Sequence, residues 1–76
     1  MTTRIEMVGI TTEVIQLDQL LKWMGLTETG GQARFLIDAG KIQVNGMIVR
    51  ERRKKIHPGD WLLIEGQEYK ILQETE

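Results

Sequence analysis

The sequence contains no cysteine. Disulfides, thiolate metal sites and a cysteine nucleophile are therefore excluded, and the composition fits a reducing compartment, with the cytoplasm as the expected location. Histidine occurs once, at His57, so a two-histidine metal site cannot form within one chain, and there is no HExxH, Walker or nucleophile-elbow pattern. His57 precedes the single proline, Pro58, and reads as a turn residue. The eleven carboxylates fall in no motif that pairs one with a catalytic partner, so neither enzymatic activity nor a cofactor or metal is expected. Aromatic residues are scarce, with two Trp, one Tyr and one Phe, fewer than proteins that read single strands by stacking commonly show. No run of about 18 apolar residues occurs, and the N-terminal "MTTRIEMVGITTEV" has no apolar stretch of signal-peptide length. Neither a membrane span nor secretion is expected.

What is present fits a small folded unit. At 76 residues, 41% hydrophobic and 28% charged, the chain is expected to form a single domain over 1–76 with its core within about 11–72. The formal net charge of -1 hides a strong asymmetry. Between Arg34 and Lys55 lie seven basic and two acidic side chains; the remainder holds three basic and nine acidic ones. A polyanion responds to such a local patch, because screening limits its view to a Debye length of roughly 10 Å.

The segment "TTEVIQL" reads as a short strand from partial alternation. Leu17, Leu20, Leu21 and Met24 then recur at helical spacing, with Asp18 in the first turn and Gly25 as the stop. A second helix opens on a capping-box pattern, Thr29 with Gln32, and closes at Gly40. Ala33, Leu36 and Ile37 form its apolar face; Phe35 and Ala39 make a second apolar strip, so packing on two sides is expected. After Gly40 the period falls to two: "KIQVNGMIV" turns at Asn45-Gly46, "HPGD" suits a type II turn, and "WLLIEG" and "EYKIL" read as strands around a tight turn. The order gives an α+β fold, with two short helices packed on a small, twisted, mainly antiparallel sheet.

Two features could carry binding. Gly30-Gly31 at the start of the second helix would leave amides open to an anion; alternatively Gly31 lets the helices approach, or Gly30 takes a conformation that other residues avoid. The run "VRERRKKIHPGD" would, if extended, send Arg50, Arg52 and Lys54 to one face and Arg53 and Lys55 to the other. It serves either a nucleic acid or a charged edge that prevents strand aggregation. Trp23 and Trp61 read as partly buried core residues, with base stacking as the alternative.

The stretch "LDQLLKWMGLTETGGQARFLIDAGKIQVNGMIVRERRKKIHPGDWLLIEG" resembles the RNA-binding domain named after small-subunit ribosomal protein four. Leu17-Asp18, Gly25, Thr29, Ala33-Arg34, Gly40, Val44 to Gly46 and Pro58 to Asp60 carry the likeness. Many members place a basic residue directly after the hydroxyl residue. Gly30 and Gly31 stand there instead, as in a small free-standing bacterial subgroup, which leaves backbone amides as the phosphate contact. The resemblance implies structured RNA as ligand, ribosomal or transfer RNA, and a free-standing, non-catalytic module acting on the ribosome or its assembly intermediates. The expected RNA surface comprises Lys22, Gly30, Gly31, Gln32, Arg34, Lys41, Arg50, Arg52, Arg53, Lys54 and Lys55, without a membrane or DNA partner. The rival reading is a protein-interaction adaptor in which the basic strip and the hairpin residues Met47 and Ile48 dock an acidic partner.

Overall fold

In the computed structural model, which describes residues 4–74, the leucine spacing of "LDQLLKW" produces helix α1 over Leu17–Trp23, with Leu17, Leu20 and Leu21 fully buried. The expected strand before it shrinks to β2, Ile15–Gln16, because Leu17 belongs to the helical stripe and not to the alternating pattern. Helix α2 covers Gly30–Asp38. Both helices end alike, in a left-handed glycine whose flanking amides close back on the last turn. In α1 the Gly25 amide donates to the Lys22 carbonyl (3.0 Å) and that of Leu26 to Leu21 (3.1 Å); in α2 Gly40 donates to Ile37 (3.1 Å) and Lys41 to Leu36 (3.2 Å).

The remaining strands are β1 (Ile5–Ile10), β3 (Ile42–Val44), β4 (Met47–Ile48), β5 (Lys55–Ile56), β6 (Trp61–Ile64) and β7 (Gln67–Gln73). Five of them form one sheet in the order β1-β7-β6-β3-β4, antiparallel except for the parallel β1–β7 pair; β2 and β5 form a separate antiparallel pair. Strand β1 is absent from the sequence reading. It pairs with residues more than sixty positions away, Ile5 opposite Glu68 through Ile10 opposite Gln73, and it delivers Ile10 to the core.

Alternation assigns the two faces of the sheet. Ile10, Ile42, Val44, Leu62, Ile64, Tyr69 and Ile71 point inward to meet Leu20, Leu21, Ala33 and Ile37 of the helices. Each fully buried large aliphatic side chain there contributes roughly 1.5–3 kcal/mol. The opposite face carries Ile5, Met7, Trp61 and Leu72, all exposed. The second apolar strip of α2 does not pack: Phe35 and Ala39 both face solvent, because α1 and the sheet lie on the same side of the helix.

Two turns are locked to each other. The Asp60 carboxylate accepts from the His57 amide (2.8 Å) and from Asn45 Nδ2 (3.2 Å), while Asn45 Oδ1 accepts from the Trp61 amide (3.1 Å). The Asn45-Gly46 hairpin and the Pro58-Gly59 turn are thereby fixed as one unit, which β7 holds as well through the Gly59 amide donating to the Ile71 carbonyl (2.7 Å).

Candidate nucleic-acid interface

The basic run is not extended. A turn at Arg52-Arg53 breaks it before Lys55 enters β5, closed by the Lys54 amide donating to the Glu51 carbonyl (3.2 Å). Its cause lies in α1, which has no side-chain cap at Gln16. The first amides of that helix need acceptors, and the loop supplies them: Leu17 donates to the Lys54 carbonyl (2.8 Å) and Asp18 to that of Arg52 (3.1 Å). With the loop's carbonyls turned toward the helix, the Arg52 and Arg53 side chains are left exposed.

That arrangement brings the basic loop to the start of α2. Arg52, Arg53, Arg34 and Gly30 line an open cleft of about 430 Å³ together with Asp18 and Glu51. Despite the two carboxylates, the one close pair of an acidic with a basic or histidine side chain among the described residues is His57 with Asp60, at 3.8 Å. The arginines of the cleft are therefore not committed to internal ion pairs, and guanidinium groups in this state suit bidentate phosphate contacts.

The glycine pair has a simpler explanation than either structural alternative. A Cβ at Gly30 would meet nothing within 4 Å, one at Gly31 would meet only the Thr29 hydroxyl at 3.8 Å, and neither residue has a positive φ. Neither close helix packing nor an unusual backbone requires glycine at these positions. What the pair does is leave the first turn of α2 bare, and Arg34 sits one turn beyond Gly30 where its side chain leans back over that turn. The capping box forms in altered shape: Thr29 Oγ1 accepts from the Gln32 amide (3.2 Å), but Gln32 Oε1 reaches past Thr29 to accept from Glu28 (2.7 Å). Gln32 thus orders the turn and does not line the arginine cleft.

The other expected contacts lie elsewhere. Arg50 lays its guanidinium against Gly40, at the far end of α2, beside Lys41. Lys22 is exposed in the last turn of α1, and Lys54 and Lys55 are exposed beside the cleft without lining it. Trp23 donates from Nε1 to the Gly9 carbonyl (2.9 Å), and Trp61 stands on the outer sheet face opposite Lys70. Neither indole borders the cleft. Sequence reasoning missed Asp18 and Glu51 as cleft residues; only the contact between the basic loop and the first turn of α1, a tertiary feature, brings them there.

No helix among the described residues is long and apolar enough to cross a membrane, and they contain no cluster of side chains able to hold a metal ion. Comparison with known proteins gives consistent matches. The chain is 34% identical over 59 residues to a probable ribosome maturation protein, RlbA, of Bacillus subtilis, covering 78% of this chain and 83% of the relative. Its fold superposes on the 30S ribosomal protein S4e of Thermoplasma acidophilum with a TM-score of 0.67 at 21% identity, covering 79% of this chain and 32% of that protein. The S4 domain family matches residues 8–72, all but the ends of the chain, so the protein belongs to the S4 domain family of RNA-binding modules.

Proposed function

We propose that the chain binds structured ribosomal RNA, on the ribosome or an assembly intermediate, and does so without catalysis. The observation that carries this reading is the cleft in which Arg34, Arg52 and Arg53 surround the bare first turn of α2. Guanidinium groups and open helix amides both bind phosphate oxygens, and a helix of nine residues supports a dipole whose positive end faces the cleft. Lys54 and Lys55 extend the positive surface, while the acidic side chains elsewhere disfavour misplaced RNA. Such a surface recognises the shape of a folded RNA more than its sequence. The ribosomal assignment draws on the relative named as a ribosome maturation protein.

The test is binding of the purified chain to structured ribosomal RNA fragments, beside a variant with Arg52, Arg53, Lys54 and Lys55 changed to alanine. Binding by the wild type that is lost in a still-folded variant is the expected result. A variant that binds as well as the wild type refutes the assignment of this surface.

A second reading, docking of an acidic protein through the basic strip and the hairpin, draws on Met47 and Ile48, which are 72% and 53% exposed. They sit on the edge strand β4 and do not line the arginine cleft. Alanine at both positions weakens partner capture under that reading and leaves RNA binding unchanged under the first.

A further inference from the structure

Phe35 is the one phenylalanine of the chain, and its ring is 67% exposed on a helix whose other large apolar residues, Leu36 and Ile37, pack on the core. It lies one turn beyond Gly31, as Arg34 lies one turn beyond Gly30. Helical side chains lean toward the N-terminus, so both lean over the glycine pair. Arg34 borders the arginine cleft; Phe35 borders a separate depression of about 570 Å³ with Leu26, Leu36, Gly31, Thr27 and Glu65. The two depressions flank the same glycine pair but differ in chemistry. No basic residue lines the second one; its charged side chain is Glu65, which repels a phosphate. Thr27 lines it as well, and its buried Oγ1 has no hydrogen-bond partner among the described residues, an unmet group of the kind a ligand or ordered water satisfies.

An anion site and a flat apolar site at adjacent positions of one helix match the two parts of a single nucleotide. We propose that Phe35 stacks an unpaired base of the RNA whose phosphates occupy the arginine cleft, with Glu65 accepting from the exocyclic amino group of that base. This rests on the RNA-binding reading above. A carboxylate acceptor favours the bases with an exocyclic amino group, adenine, cytosine and guanine, over uracil, and the absence of a cation in the depression directs the backbone to the arginine side. The mode extends the shape-and-charge recognition of the cleft to one splayed-out nucleotide.

The test uses two probes, a fully paired RNA hairpin and the same hairpin with one unpaired adenosine in its stem. Each is titrated with the wild type, F35A, F35L and F35W, thermal melts reporting that the variants are folded. The wild type is expected to prefer the hairpin with the unpaired adenosine. F35A and F35L should weaken binding to it by roughly 5- to 150-fold, the range for loss of one base–aromatic stack, with the fully paired probe and the salt dependence unchanged. F35W should restore the preference. Unchanged binding in F35A overturns the proposal. So does F35L binding as the wild type does, which marks a general apolar contact of the kind a protein partner makes. If the wild type binds neither hairpin in a salt-dependent way, the RNA-binding reading itself falls, an outcome distinct from loss of the preference alone.

Discussion

The two ends of α2 both carry glycine, for opposite reasons. At the C-terminal end Gly40 has φ +73°, and a Cβ there would lie 2.7 Å from an Arg50 guanidinium nitrogen. Backbone handedness alone makes glycine the favoured residue, since an L side chain in that conformation costs roughly 1–2 kcal/mol. At the N-terminal end neither Gly30 nor Gly31 has a positive φ or a crowded Cβ position. Glycine within a helix is less favourable than alanine by up to about 1 kcal/mol, so this end forgoes stability that alanine would supply. The folded architecture accounts for one glycine, and the pair it leaves unexplained stands beside the arginines that lack internal partners. A residue that the fold does not need is the better pointer to function.

Substitutions at the two ends sharpen this contrast. Gly40→Ala should destabilise the protein by about 1–2 kcal/mol, lowering Tm by roughly 5–15 °C for a domain of this size. Most of the effect comes from the positive φ, because Arg50 is flexible enough to move aside. RNA affinity measured well below that Tm should be unchanged. Asp60→Ala removes the acceptor shared by the His57 amide and Asn45, and should cost about 1–2 kcal/mol in denaturant unfolding, again without loss of RNA affinity. Gly31→Ala is expected to act in the reverse sense. It should raise stability by up to about 1 kcal/mol while weakening RNA binding severalfold, because a methyl group then covers the first turn of α2. A Gly31→Ala protein that is both more stable and fully active would remove the contrast between the two ends.

Much of this was legible along the chain. Asn45-Gly46, Pro58-Gly59 and Gly40 each announce a turn by local chemistry, and the observed φ values of +52° and +86° at Asn45 and Gly46 are those of a tight hairpin. The leucines of α1 and the inward residues of β3, β6 and β7 follow period rules that need no tertiary knowledge. What escaped reading is non-local. Strand β1 is stabilised by β7 at the other end of the chain, and the exposure of Ile5 and Met7 blurs its alternation. "RERRK" contains no Gly or Pro to announce a turn; the loop bends because the uncapped amides of Leu17 and Asp18 take its carbonyls. Phe35 looked like core because periodicity records that a residue is apolar, not whether a neighbouring element lies on its side of the helix. Of the residues expected on one surface, the fold brings Arg34, Arg52, Arg53 and Gly30 to one cleft, whereas Arg50 and Lys41 lie at the other end of α2.

The most direct test of the central claim is the dependence of RNA affinity on salt for the wild type and for a variant with Arg34, Arg52 and Arg53 changed to alanine. If about five phosphates are neutralised, the wild-type log–log slope should be about -4, and loss of three contacts should reduce its magnitude by about 2–3. A wild-type slope near zero, or an unchanged slope in a folded variant, would contradict the assignment of this cleft as the phosphate-binding surface.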